Sequence, residues 1–126
     1  MAKKILIVDD EADFAQRLMF DMKKRGYEFA LAGDGEEGMQ KIGQFKPDLI
    51  VFDIKMPKMD GYTFVKNVKK DPETKNLPMI ALTSFEPMRD IFEMEGVGDY
   101  FVKSAKMEQL FATIGKYLNP PEASGA

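Results

Sequence analysis

The sequence predicts an α/β domain: a five-stranded parallel sheet with helices on both faces. Three observations predict it. Short unbroken apolar runs recur, Ile5-Leu6-Ile7-Val8, Leu49-Ile50-Val51-Phe52 and Met79-Ile80-Ala81-Leu82, and such runs read as strands buried on both sides. Segments of helical spacing alternate with the strands, five times over, which is the order that gives right-handed crossovers and a parallel sheet. Polar residues stand where the strands stop, and in sheets of this kind functional groups gather at the carboxyl ends of the strands.

The first strand, Ile5 to Val8, runs into Asp9-Asp10-Glu11. A helix follows from about Ala12, with Phe14, Leu18 and Met22 inward and Ala15 and Met19 beside them. Arg25-Gly26 stops it. Residues 27–32 alternate Tyr27, Phe29 and Leu31 against Glu28, Ala30 and Ala32, which predicts an edge strand with one wetter side. Gly33-Asp34-Gly35 is a turn, and 36–45 a short helix with Met39 and Ile42 inward.

The third strand begins after Pro47 and ends at Asp53. Pro57 cannot continue it, and Asp60 caps a third helix carrying Phe64, Val65 and Val68 on its apolar face. Asp71-Pro72-Glu73-Thr74-Lys75-Asn76 is a polar loop, and Lys66, Lys69 and Lys70 read as a solvated helix face. The fourth strand, from Pro78 to Leu82, ends at Thr83-Ser84. A weaker fourth helix covers about 87–95, with Gly96 as its stop. Asp99-Tyr100-Phe101-Val102 is the last strand, ending at Lys103-Ser104. A final helix from about Ala105 puts Met107, Leu110, Phe111, Ile114 and Leu118 on one face, and Asn119-Pro120-Pro121 ends it. The expected division is one domain over 1–120 and a loose tail over 121–126.

Composition removes several chemistries. The 126 residues include no cysteine and no histidine. Disulfides, thiolate sites and cysteine or histidine catalysis are thereby excluded, and any metal must be held by oxygen, which favours Mg²⁺, Mn²⁺ or Ca²⁺. A net charge of -3 without a basic run argues against nucleic acid as a direct partner. The first residues lack the apolar stretch of a signal peptide, and no segment is long enough to span a membrane, so a cytoplasmic protein is expected.

The rim then collects Asp9 and Asp10 from strand one, Asp53 from strand three, Thr83 from strand four and Lys103 from strand five. Three carboxylates at buried strand ends repel one another and call for a cation. Mg²⁺ suits them, because it needs few protein ligands. A hydroxyl and an ammonium beside an aspartate–metal pair are what a phosphoryl group requires, and an aspartate can itself attack phosphorus to form an acyl phosphate. Taken singly, each residue has a plainer reading: Asp9-Asp10 as a turn or cap, Thr83 as a capping hydroxyl, Lys103 as a surface amine, Tyr100 as a core ring with a wet hydroxyl.

Ile5-Leu6-Ile7-Val8-Asp9-Asp10-Glu11, the stretch from Asp48 to Gly61 with its signature of Asp53, Met56-Pro57, Met59 and Asp60-Gly61, Leu82-Thr83-Ser84, and Asp99-Tyr100-Phe101-Val102-Lys103 together resemble the receiver domain of two-component response regulators, over nearly the whole chain. The resemblance implies a flavodoxin-like (βα)5 fold with strand order 2-1-3-4-5. It implies Asp53 as phosphoacceptor and a Mg²⁺ site made by Asp10 and Asp53 directly, Asp9 through water and the backbone carbonyl of Lys55. It also implies Thr83 and Tyr100 as a switch pair and Lys103 as the partner of the phosphoryl group. Two departures stand out. Ser104 takes the place of the family's usual proline, so no cis peptide bond is expected there. Phe85, two residues after Thr83, is expected to shield the site from water.

The function that follows is a stand-alone phosphorylation switch that is not a dedicated enzyme. A sensor histidine kinase or phosphotransfer protein would donate to Asp53. The signal would leave through the face of the fourth helix, fifth strand and final helix to a downstream protein, the chain remaining a monomer or dimerising on phosphorylation. Three alternatives compete. A phosphate-independent interaction module is favoured only by Ser104. A Mg²⁺-dependent phosphatase would need an acid where Lys55 stands. A nucleotide or flavin domain would need a phosphate loop that Asp9-Asp10-Glu11 does not provide.

Overall fold

A computed structural model of the chain describes residues 3–54, 58–83, 97, 99–102 and 107–118. The strands are β1 (Lys4–Val8), β2 (Glu28–Ala32), β3 (Leu49–Asp53), β4 (Met79–Thr83) and β5 (Asp99–Val102). They form one parallel sheet in the order β2-β1-β3-β4-β5, as the sequence leads one to expect. The helices among the described residues are α1 (Ala12–Lys24), α2 (Gly35–Phe45), α3 (Gly61–Lys70) and a C-terminal helix (Met107–Leu118). The expected fourth helix, the 121–126 tail, Lys55, Phe85, Lys103 and Ser104 lie outside the described residues.

The two faces of the sheet carry two separate cores. Ile5, Ile7, Leu49, Val51, Ile80, Leu82 and Phe101 meet Phe14, Leu18 and Met22 of α1 and Leu110, Phe111, Ile114 and Leu118 of the C-terminal helix. Leu6, Val8, Ile50, Phe52, Met79 and Ala81 meet Ile42 of α2 and Phe64, Val65 and Val68 of α3. This is the period-two alternation of strands covered on both faces, and it explains why their sequences are continuously apolar. Arg25 lies over the ring of Phe111, 4.5 Å from its centroid, tying the end of α1 to the C-terminal helix.

The edge position of β2 is as expected, but its wetter side is not. Tyr27 and Leu31 pack on one core and Ala30 on the other; Ala32 is buried, and within the strand only Glu28 is fully exposed. The small alanines let helices close over both sides of the edge strand.

Local chemistry fixes the helix ends. Gly26 has φ 89° and gives its N–H to Lys23 O at 3.1 Å, while Tyr27 N–H reaches Met22 O at 3.1 Å. That paired closure needs a left-handed residue, which glycine adopts without strain. Helix α2 starts one residue earlier than its sequence suggests, because Asp34 is its cap: Asp34 Oδ1 accepts Glu37 N–H at 2.9 Å, and Glu37 Oε1 accepts Gly33 N–H at 2.8 Å. Asp60 caps α3 as expected, accepting Thr63 N–H at 2.8 Å.

Candidate functional site

The parallel register decides which side chains share the rim. Val8 pairs with Phe52, so one step further Asp9 and Asp53 come level across adjacent strands. By the alternation of side chains, both share the sheet face of Ile7 and Val51, two residues back, which belong to the α1-side core. Asp9 N–H donates to Ala32 O at 2.9 Å, extending the β1–β2 ladder to the carboxylate residue itself. Asp9 Oδ1 then accepts Glu11 N–H at 2.9 Å, a short aspartate turn that leads the chain off the strand and into α1. Ile54 N–H donates to Leu82 O at 3.2 Å and so holds the residue after Asp53 to β4.

Asp9, Asp10 and Asp53 converge, with a carboxylate oxygen from each lying within 4.8 Å of the others. Asp9 and Asp53 are only 5% and 6% exposed, and Asp10 is open to solvent. Two buried carboxylates and one exposed one, all hard oxygen donors, suit a divalent cation that accepts few protein ligands and retains water. Without a cation the same cluster concentrates like charge in a desolvated place. The donor set therefore fits Mg²⁺, with Asp9, Asp10 and Asp53 as the described residues that would hold it.

Thr83 closes β4, opposite Val102 in register. Tyr100 pairs with Ala81, is partly buried and packs on the α2–α3 core. The strand ends thus bring Asp9, Asp10 and Asp53 into one cluster and set Thr83 on the neighbouring strand end.

Residues 58–61, which lead into α3, are held in ways the sequence does not announce. Gly61 N–H donates to Ile54 O at 2.7 Å. A Cβ on Gly61 would stand 2.7 Å from Ile54 Cα, 3.1 Å from Asp53 O and 3.1 Å from the Phe52 ring. The first turn of α3 therefore lies directly on the backbone that carries Asp53. On the other side, Lys58, with φ 68°, sets its ammonium 3.6 Å from Asp34. Asp34 is held below its ordinary carboxylate value of 3.8, first by the Glu37 N–H it accepts, which outweighs the upward push of desolvation, and further by Lys58.

A parallel five-stranded sheet in the order 2-1-3-4-5, with an acidic cluster at the carboxyl ends of its central strands, is a flavodoxin-like receiver fold. The chain belongs to the response regulator receiver domain family, which it matches over residues 5–115. It is 34% identical over 124 residues to the alkaline phosphatase synthesis transcriptional regulatory protein PhoP of Bacillus subtilis, covering 97% of this chain and 51% of that protein. A crystal structure of a putative response regulator from Chloroflexus aurantiacus superimposes with a TM-score of 0.87 at 34% identity, covering 94% of this chain and 98% of that one. The chemotaxis response regulator CheY4 of Vibrio cholerae gives 0.85 at 29% identity, covering 93% and 99%. The chain spans about half the length of the curated relatives it matches. Receivers are signalling domains that work with histidine kinases or phosphotransfer proteins and bind Mg²⁺ at an acidic pocket. No helix among the described residues is long and apolar enough to cross a membrane.

Proposed function

We propose that Asp53 is the phosphoacceptor of a cytoplasmic signalling switch. The observation that carries this reading is the convergence of Asp9, Asp10 and Asp53 within 4.8 Å, with Asp53 buried at the end of a central strand. A carboxylate oxygen of Asp53 attacks the phosphorus of a phosphohistidine on a sensor kinase or phosphotransfer protein. The P–O bond forms, the P–N bond breaks, and its electron pair stays on the imidazole nitrogen. A bound Mg²⁺ would offset the charge of the carboxylates and the phosphoryl oxygens. Asp10 and Asp53 would hold that cation directly, with the backbone carbonyl of Lys55, and Asp9 would hold it through water. Lys103 pairs with a phosphoryl oxygen and Thr83 donates a hydrogen bond to another. Tyr100 follows Thr83 inward, and the change is read on the face of the fourth helix, fifth strand and C-terminal helix by a downstream protein.

The test is intact mass after incubation with Mg²⁺ and acetyl phosphate. The wild type is expected to gain one phosphoryl group (about 80 Da) and Asp53→Asn none. No gain in the wild type, with Mg²⁺ shown to bind, overturns the reading in favour of a phosphate-independent interaction module.

The length of the curated relatives, among them a transcriptional regulatory protein about twice as long as the matched segment, favours a second reading of the output. In it the receiver controls an attached DNA-binding unit rather than a separate partner. The mass of the natural protein isolated from its host separates this from the stand-alone switch.

A further inference from the structure

We infer that Gly35, at the start of a helix that carries none of the site's chemistry, is a positioning residue for Asp53. It sets where segment 58–61 lies, and through Gly61 where the end of β3 lies. The inference rests on the reading of Asp53 as phosphoacceptor, and it concerns how that side chain is held rather than what it does.

Contacts on both sides of segment 58–61 carry the argument. On the α2 side, a Cβ placed on Gly35 would stand 2.7 Å from Met59 Cβ, 2.9 Å from the Met59 carbonyl oxygen and 3.0 Å from Met59 Cγ. Two of these atoms cannot swing away as the end of a flexible side chain can, so the backbone of Met59 rests directly on the first turn of α2. Asn67 Nδ2 holds the same residue from α3, donating to Met59 Sδ at 3.4 Å. On the β3 side, Gly61 rests on Ile54 Cα and Asp53 O and donates to Ile54 O at 2.7 Å. Between these faces stands Asp60, fixed as the cap of α3 by its bond from Thr63 N–H. The segment is a wedge between α2 and β3, seated on Gly35 at one side and meeting β3 through its own Gly61 at the other. The Lys58–Asp34 pair is largely exposed at its lysine end and aims the wedge more than it strengthens it.

A methyl group at position 35 therefore forces the first turn of α2 and Met59 apart, and Met59 carries the turn that rests on Asp53. A misplacement of about 1 Å at a reacting group can cost roughly 10²-fold in rate. Gly43 supplies the control. It lies in the same helix, and a Cβ there would meet nothing within 4 Å. Gly43→Ala changes helix propensity as Gly35→Ala does, without touching the wedge.

The experiment has two arms. Amide ¹H–¹⁵N spectra of the metal-free protein are compared for wild type, Gly35→Ala and Gly43→Ala. Rates of mass gain with acetyl phosphate are then measured at saturating Mg²⁺. Gly35→Ala is expected to shift the Asp53, Ile54 and Gly61 amides and slow phosphorylation by about tenfold or more, while Gly43→Ala does neither. Unmoved amides at 53, 54 and 61 in folded Gly35→Ala overturn the inference, even if the melting temperature falls, because the effect is then on stability alone. Should Gly35→Ala not fold, Met59→Ala probes the same contact from its other side, since it keeps Cβ and the backbone but removes the Cγ that lies against Gly35 and the Sδ that Asn67 holds. A wild type that takes up no phosphoryl group sinks the phosphoacceptor reading only, and the amide shifts still decide the role of Gly35.

Discussion

The ammonium of Lys69, on the last turn of α3, donates to the carbonyl of Leu77 at 3.1 Å, and to that of Lys75 at 2.7 Å. It closes the polar 71–77 segment back onto the helix. Thr74 Oγ1 does the same from the loop side, donating to Val68 O at 2.6 Å. Burial pushes the Lys69 amine below its usual value, and the two carbonyls oppose that push by favouring the charged form. Lys69→Met keeps the apolar stem and leaves both carbonyls without this donor. The expected loss is about 1–2 kcal/mol, read as a lower urea midpoint with an unchanged slope. Lys66→Met and Lys70→Met, on exposed positions of the same helix, are expected to stay within about 0.5 kcal/mol of wild type.

Asp34 gives a prediction in pH. Its folded-state value is depressed, first by the Glu37 N–H it accepts and then by Lys58. A depressed carboxylate contributes stability that is fully present above its ordinary value of 3.8 and is lost as pH falls through the folded value. Asn at this position keeps a capping oxygen but cannot titrate. The gap in urea midpoint between wild type and Asp34→Asn is therefore expected to be constant above about pH 5 and to close as pH falls below 4. A gap that holds constant down to pH 2 would show that Asp34 does not titrate differently in the two states.

The acidic cluster predicts opposite signs with and without cation. Asp9→Asn keeps the oxygen that accepts Glu11 N–H and removes one charge from the set of Asp9, Asp10 and Asp53. In metal-free buffer the variant is expected to be more stable than wild type, because like-charge repulsion is relieved. With Mg²⁺ at about 100 times its dissociation constant the wild type gains about 2.7 kcal/mol, and Asp9→Asn gains much less. Chelation with EDTA reverses the order again. Thermal melts in the two buffers check both signs.

The buried runs of β1, β3 and β4 were legible because a strand covered on both faces has few alternatives to continuous apolar sequence, and the alternation of strands with helical periods then fixes a parallel sheet. Asp9, Asp10 and Asp53 were legible for a related reason: a carboxylate that directly follows such a run has no apolar explanation. Lys69 reads from sequence as a solvated amine because its partners belong to a loop whose path is set by tertiary packing. Asp34 reads as one residue of a turn, yet Glu37 three residues on is the signal that marks it as a helix cap. The close approach of Gly35 to Met59 leaves no local trace, since a glycine's neighbour across space is not written beside it. The double covering of β2 was hidden because alanines at 30 and 32 read as the weaker side of an edge strand.

Phe64 links the α3 core to the strand that ends in Asp53. Its ring lies 5.7 Å from that of Phe52, centroid to centroid, and tilted by 49°, a geometry that adds to the area both bury. Both rings are fully buried. On the far side, a Cβ on Gly38 of α2 would stand 3.0 Å from Phe64 Cε1 and 3.2 Å from a Val8 methyl, so the ring fills the space between α2 and the sheet. Phe64→Ala is expected to cost about 3–5 kcal/mol. Phe64→Leu removes the far edge of the ring, including the Cε1 that faces Gly38, so a methyl group at position 38 should be better tolerated beside it. Gly38→Ala alone sets a gain in helix propensity of about 1 kcal/mol against contact with Phe64 and Val8. In the Phe64→Leu background the Phe64 part of that conflict is gone. The cycle of these two substitutions is expected to show a favourable coupling of about 0.5–1 kcal/mol in urea unfolding. Strict additivity would mean that α2 can withdraw from α3 at this point without resistance.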